Sequence, residues 1–265
     1  MNQFTLLTFN CFGIPVPAAR RRLLALAGAL DQQAATVVCL QEVQAHPYRR
    51  LLTHAATTFP YHAFAPHLHA PRGGLLTLAR TPIVASAFAD YRDRGRWYSP
   101  ALADVALAKG VLRTQHVVDG QEIIVLNTHL SANYRGDWAG DNQYSRTERN
   151  QLQQLAALVA AQPPAALVVV CGDFNVPRDS GLFHDFLTAS ALADPLAHDS
   201  RPTYRPLPGM PTRFALPIDS ALFRVPAGAQ FAGQSQLCFG ERMPFSGGSG
   251  YLSDHLAVEL QVTWS

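Results

Sequence analysis

Apolar residues gather along this chain in short runs, each long enough for a strand and too short for a free-standing helix. In Leu167-Val168-Val169-Val170-Cys171 every position is apolar and β-branched Val predominates, which predicts a strand buried on both faces. Leu6-Leu7-Thr8-Phe9, Val37-Val38-Cys39-Leu40, Ile123-Ile124-Val125-Leu126 and Ile218-Asp219-Ser220-Ala221-Leu222-Phe223 read as further strands. Shorter strands are expected near residues 61–65, 73–79 and 104–112. Between them, Leu23, Leu24, Leu26, Ala27 and Leu30 recur at helical spacing, as do Leu152, Leu155, Leu158 and Val159 in a helix over 142–162. Residues 48–58 and 179–189 are also predicted helical. The proline-rich stretch 195–217 and the glycine-rich stretch 239–250 read as loops, the second a flexible one.

What gives the pattern chemical meaning is how the runs end. In chain order Asn10 closes the first, Glu42 the second and His129 the third, while Gly172-Asp173-Phe174-Asn175 follows the long apolar run. Asp219 lies near the start of its strand, and Ser253-Asp254-His255 opens the last one. A lone G-D-x-N is usually a turn. Repeated at strand end after strand end, such residues instead place carboxylates, amides and imidazoles on the lip of a rigid scaffold, as catalysis by positioned groups requires.

In this order and at this spacing, F-N, Q-E-V, N-T-H-L, G-D-F-N and S-D-H resemble the motifs of the endonuclease/exonuclease/phosphatase superfamily, over nearly the whole chain. The resemblance implies an α/β fold, a four-layered α/β/β/α sandwich of two mostly antiparallel sheets flanked by helices. It further implies a Mg²⁺-dependent phosphodiesterase acting by in-line attack of water, with Mn²⁺ or another divalent cation as an alternative. Mg²⁺ takes oxygen ligands and is held by one or two carboxylates, so Glu42 is the expected metal ligand, with Asn10 and Asp254 beside it. His129, Asp173, Asn175, Asp219 and His255 form the expected catalytic set. Asp219 would orient His255, and either His255 or Asp173 would take the proton of the attacking water.

Asp104, five residues before Lys109-Gly110 and just upstream of N-T-H-L, resembles the neutral sphingomyelinase branch, in which such an Asp and Lys pair near the site. Lys109, Asp104 and Tyr134 are therefore the expected substrate-binding residues. The expected activity releases phosphocholine from sphingomyelin or a related phospholipid. An endonuclease or exonuclease, or a phosphoinositide or sugar-phosphate phosphatase on the same core, is the alternative. Tyr134, Trp138 and Tyr251 are candidates to hold a quaternary ammonium on aromatic faces.

Composition narrows this reading. The 265 residues are 48% hydrophobic, enough for a sizeable core, and are expected to form one catalytic domain, 1–265, acting as a monomer. A formal net charge of +2 with 15% charged residues leaves no strong electrostatic footprint for a polyanion, so nucleic acid is the lesser expectation and a phospholipid at a membrane surface the greater. Arg20, Arg21 and Arg22 read as a solvated helix face without a role. The cysteines at 11, 39, 171 and 238 suit free thiols better than a disulfide framework. No secretory signal is visible at the N-terminus, and no apolar run reaches the about 20 residues of a spanning helix, so a cytoplasmic or membrane-peripheral location is expected.

Overall fold

The computed structural model describes residues 2–95 and 107–265. In chain order the first half holds β1 (Asn2–Gly13), α1 (Ala19–Asp31), β2 (Val37–Val43), α2 (His46–Ala55), β3 (Tyr61–Ala63), β4 (Leu76–Ala79), β5 (Ala85–Asp90), β6 (Gly110–Val118) and β7 (Gln121–His129). The second half holds α3 (Gln143–Ala160), β8 (Leu167–Asp173), α4 (Gly181–Ser190), β9 (Asp219–Arg224), β10 (Phe231–Cys238), β11 (Met243–Phe245), β12 (Gly248–Gly250) and β13 (Ala257–Trp264).

Two sheets carry the fold. One has the strand order β10-β13-β1-β2-β4-β3 and the other β5-β6-β7-β8-β9. Most pairings are antiparallel, but at the centre of each sheet one pair runs parallel: β1 with β2, and β7 with β8. Each parallel pair is joined through a helix, α1 in the first case and α3 in the second, because a parallel return needs a long crossover. The repeated strand-helix-strand order in the sequence corresponds to these two crossovers.

Alternation along the strands sorts residues into three apolar clusters and four layers. Phe4, Leu6, Val37, Cys39, Ile123, Val125, Leu167, Val169 and Cys171 fill the space between the sheets. Leu7, Phe9, Val38 and Leu40 point the other way, against Leu23, Leu26 and Leu30 of α1 and Leu52 of α2. On the opposite flank Ile124, Leu126, Val168 and Val170 meet Leu152, Leu155 and Val159 of α3 with Phe183 and Phe186 of α4. The α/β/β/α sandwich is the architecture expected from the motifs.

Several boundaries differ from expectation. β6 begins at Gly110, so Lys109 precedes the strand, and Ala108 before it adopts a left-handed φ of 54°. β10 was not predicted: its burial alternates between half-buried and exposed residues, and as an edge strand it lacks the continuous apolar run of a central one. The stretch expected as a flexible loop contains the β11–β12 hairpin, turning at Gly247, φ 89°. Asp104 lies outside the described residues. None of the described helices is long and apolar enough to cross a membrane.

Candidate active site

Parallel pairing puts the C-terminal ends of β1, β2, β7 and β8 at one edge of the sandwich, and antiparallel neighbours bring their N-terminal ends to the same edge. Asp173 at the end of β8 is registered with Asp219 at the start of β9, and His129 with Asp173. Along the face between the sheets the inward residues change from apolar to polar toward this edge: Phe4, Leu6, Thr8, Asn10 on β1; Ile123, Val125, Asn127, His129 on β7; Leu167, Val169, Cys171, Asp173 on β8. The site is thus the polar continuation of the core.

Below the catalytic residues lies a buried amide layer that sequence reading missed. Gln41 donates to Asn127 Oδ1 at 2.8 Å and to Thr8 Oγ1 at 3.0 Å, and Asn127 donates to the Leu40 and Leu76 carbonyls. These bonds tie β7 of one sheet to β1, β2 and β4 of the other, and pair the amide N–H donors, whose unpaired burial would cost about 1–3 kcal/mol each.

Above it, the Asn10 amide donates to Glu42 Oε1 at 3.1 Å and to Asp173 Oδ2 at 2.9 Å, while its own oxygen accepts from the Phe12 N–H at 3.0 Å. Asp173 Oδ1 accepts from the Asn175 N–H at 2.9 Å. His129 Nε2 and His255 Nε2 stand 3.4 and 3.8 Å from Asp173 Oδ2, and His255 Nδ1 is 2.8 Å from Asp219 Oδ2. Asn175 Nδ2 and Lys109 Nζ both donate to the Leu130 carbonyl, at 2.9 and 2.6 Å. Asp254 follows Ser253, whose hydroxyl donates to it at 3.1 Å. The expected metal, catalytic and substrate-binding residues within the described part of the chain, Tyr134 included, are therefore gathered at this edge.

Local backbone strain accompanies them. Phe12, Glu42, Ala108 and Asn175 all have left-handed φ, at 47°, 57°, 54° and 52°, a conformation costing about 1–3 kcal/mol for a residue with a side chain. Glu42 depends on it. Its neighbours Leu40 and Val43 face the helices, and the turn at Glu42, where the β1–β2 register shifts, brings its carboxylate round to Asn10.

The electrostatics divide two imidazoles into different states. Burial pulls the His255 pKa down, but the Asp219 and Asp173 carboxylates outweigh it and leave it raised to about 10. His129 is pushed well below the usual imidazole range by burial, with Lys109 and His255 acting in the same direction. One ring is a cation at neutral pH and the other is neutral, a division set by environment. Among the carboxyls, burial raises Asp173, aided by Asp219. It also raises Asp254 and Glu42, to which Asp254 adds. Oxygen donors crowded until each opposes the ionisation of the next fit a hard divalent cation. Glu42, Asn10 and Asp254 offer such oxygens. Asp173, Asp219 and His255 also bring ligand atoms within 4.8 Å of one another, although there the His255 Nδ1 position is already taken by Asp219.

Other supports had no local sequence signal. The half-buried Arg22 donates to the carbonyls of Cys11 at 2.6 Å, Phe12 and Leu252, binding the end of β1 to the segment that carries Asp254. The expectation that it has no role is corrected. Thr203 accepts from the N–H groups of Ile218 and Asp219, each at 3.0 Å, and the Tyr204 ring lies 5.0 Å from the His255 ring. Tyr251 does not line the cleft: its ring lies under the Arg205 guanidinium, 4.2 Å away. The open space above the polar floor is a cleft of about 560 Å³ with Tyr134, Trp138, Leu207, Met210 and Phe214 on its walls.

Residues 7–255 match the Endonuclease/Exonuclease/phosphatase family. The chain belongs to this family. Family members hydrolyse phosphoesters with a divalent metal, which is the chemistry for which the site's oxygen donors are suited. Among curated proteins, "Putative neutral sphingomyelinase" of Drosophila melanogaster is 28% identical over 200 residues, 75% of this chain and 45% of that protein. The chain thus spans less than half the length of that relative. The fold is shared with D. rerio TDP2 complexed with a single strand DNA product, at TM-score 0.78 and 16% identity, and with sphingomyelinase C from Streptomyces griseocarneus, at 0.75 and 21%. In both cases the likeness covers 98% of this chain and 99% of the other. Beta toxin from Staphylococcus aureus with bound magnesium ions shares it at TM-score 0.70 and 15% identity, over 98% of this chain and 99% of that one.

Proposed function

We propose that this phosphoester hydrolase is a Mg²⁺-dependent phosphodiesterase of phospholipase C type, releasing phosphocholine from sphingomyelin or a related choline phospholipid at a membrane surface. The observation that carries the reading is the contrast inside the cleft. Its floor is charged and buried, with Lys109 only 1% exposed, and its walls are aromatic and aliphatic. A nucleic acid would instead call for cations along its backbone. The 28% identical relative, by its name a neutral sphingomyelinase, supports the same choice.

In this reading Glu42, with Asn10 and Asp254, holds Mg²⁺, which when bound neutralises charge on the phosphate oxygens. His255, held charged by Asp219, donates toward the phosphoryl group. Asp173, with its raised pKa, accepts the proton of the attacking water, so the choice left open between these two residues falls on Asp173 as base. His129, neutral, donates from Nε2 to a nonbridging oxygen, and the Asn175 amide positions the water. Lys109 reaches a phosphate oxygen, and Tyr134 and Trp138 face the quaternary ammonium.

A DNA-processing phosphodiesterase is the second reading, favoured by the equally good fold likeness to TDP2. The test is a substrate panel with and without Mg²⁺: sphingomyelin in mixed micelles, single- and double-stranded DNA, and a phosphoinositide. Phosphocholine release that disappears on chelation is the expected result. DNA cleavage without phosphocholine release would overturn the lipid reading and leave the catalytic core standing.

A further inference from the structure

Helix α3 carries a buried polar stripe that the catalytic set does not use. Ser145, Glu148 and Gln151 recur every three residues on one side of the helix, each no more than 1% exposed. All three bond to the loop that follows His129, and Gln151 also donates to the Asp93 carbonyl at 2.8 Å. Gln151 accepts from the Ser131 N–H at 2.9 Å and donates to the Ser131 hydroxyl at 3.0 Å. Ser145 donates to the Gly140 carbonyl at 2.6 Å and completes a capping box with Asn142.

Between them Glu148 accepts from Asn133 Nδ2 at 3.0 Å and from Trp138 Nε1 at 3.3 Å. Asn133 and Trp138 bracket Tyr134, and all three line the catalytic cleft. Trp138 Nε1 also donates to the Asn175 carbonyl at 3.1 Å, so the same indole bridges Glu148 to the strained residue beside Asp173. A carboxylate with two acceptor oxygens facing two donor-only groups is specified in a way that Gln is not, since its amide nitrogen would oppose one of them.

We propose that Glu148 is a positioning residue for substrate binding: acting through Trp138 and Asn133, it fixes the aromatic wall of the cleft and thereby sets affinity for the substrate's non-phosphoryl arm. It touches no reacting atom. Burial raises its carboxyl to about 8, so the carboxylate form that faces both donors predominates above that value.

The test uses the full chain with Mg²⁺ and bis(4-nitrophenyl) phosphate, a probe that does not presuppose a lipid substrate. Assayed at about pH 9, where the carboxyl is ionised, Glu148→Gln should raise KM by about tenfold or more while kcat changes by less than about threefold, the loss of a charge-assisted buried hydrogen bond falling on binding. Trp138→Phe removes the Nε1–H together with the pyrrole half of the indole that lines the cleft, and should raise KM in the same sense. In the double variant the two KM effects should be less than multiplicative, because both changes break the Glu148–Trp138 link, while each also breaks a second bond, to Asn133 and to Asn175 respectively. A matching fall in kcat with KM unchanged, or fully multiplicative effects in the double variant, would overturn the proposal. If Glu148→Gln does not fold, an unchanged KM in Trp138→Phe overturns it and a raised one supports it.

Discussion

The Asn10 amide bonds to Asp173 at 2.9 Å across the space between the two sheets, while the same nitrogen reaches Glu42 at 3.1 Å. One neutral donor thus separates two buried carboxyls that would otherwise oppose each other's ionisation. Replacing it with Ala should cut turnover by about 100-fold or more. The variant's carboxyl pKa values should rise further. A raised carboxyl pKa destabilises the fold increasingly as pH rises above the unfolded value, up to the folded one. The stability gap to wild type in urea unfolding should therefore widen as pH rises above about 7, the folded Asp173 value in wild type. A gap that stays constant would remove Asn10 from this electrostatic role.

Glu42 sits at a left-handed backbone position with its carboxyl raised by burial, a costly arrangement unless a cation compensates. Chelation should abolish activity and Mg²⁺ restore it. In thermal melts Mg²⁺ should raise the midpoint of wild type and leave Glu42→Gln unmoved. Full turnover of Glu42→Gln at ordinary Mg²⁺ would remove this residue from the metal site.

The His255–Asp219 pair predicts a pH signature. The folded His255 pKa of about 10 lies above an unfolded value of about 6.5. The associated stabilisation is therefore complete below the lower value and lost as pH climbs to the upper one. Wild type should exceed Asp219→Asn in stability most on the acid side of that window, with the difference closing toward its alkaline end. In activity, Asp219→Asn should draw the alkaline limb of the kcat profile toward neutrality. Superimposable profiles would mean that Asp219 does not set the charge of His255.

Gly172 immediately precedes Asp173 with φ 143°, and a Cβ there would run into the Thr128 carbonyl on the adjacent strand. Backbone cannot yield as a side chain can, so Gly172→Ala should cost about 3 kcal/mol or more. Chemical denaturation measures this. A loss below about 1 kcal/mol would mean that β7 and β8 shift apart more easily than their packing implies.

The strand ends were legible because a polar residue closing an apolar run is visible locally, and the order of such runs fixed the family and its layers. Illegible were residues whose partners come from elsewhere in the chain. Arg22 looks like any basic helix residue until Leu252 is brought beside it. Glu148 is a charged residue in a helix with charged neighbours, and only burial distinguishes it. Thr203 and Tyr204 lie in a proline-rich loop without periodicity, and β10 presents the half-polar pattern of a sheet edge. Lys109 was assigned to the right neighbourhood but placed inside a strand that starts one residue later.

The left-handed residues at Phe12, Glu42, Ala108 and Asn175 have a practical consequence for anyone engineering this scaffold. Glycine would relax each of these positions, so a screen that rewards heat resistance alone would enrich exchanges around the catalytic edge first. Thermotolerant survivors from such a library should be sorted by turnover before they are combined, because the easiest gains in robustness lie where the enzyme is least free to change.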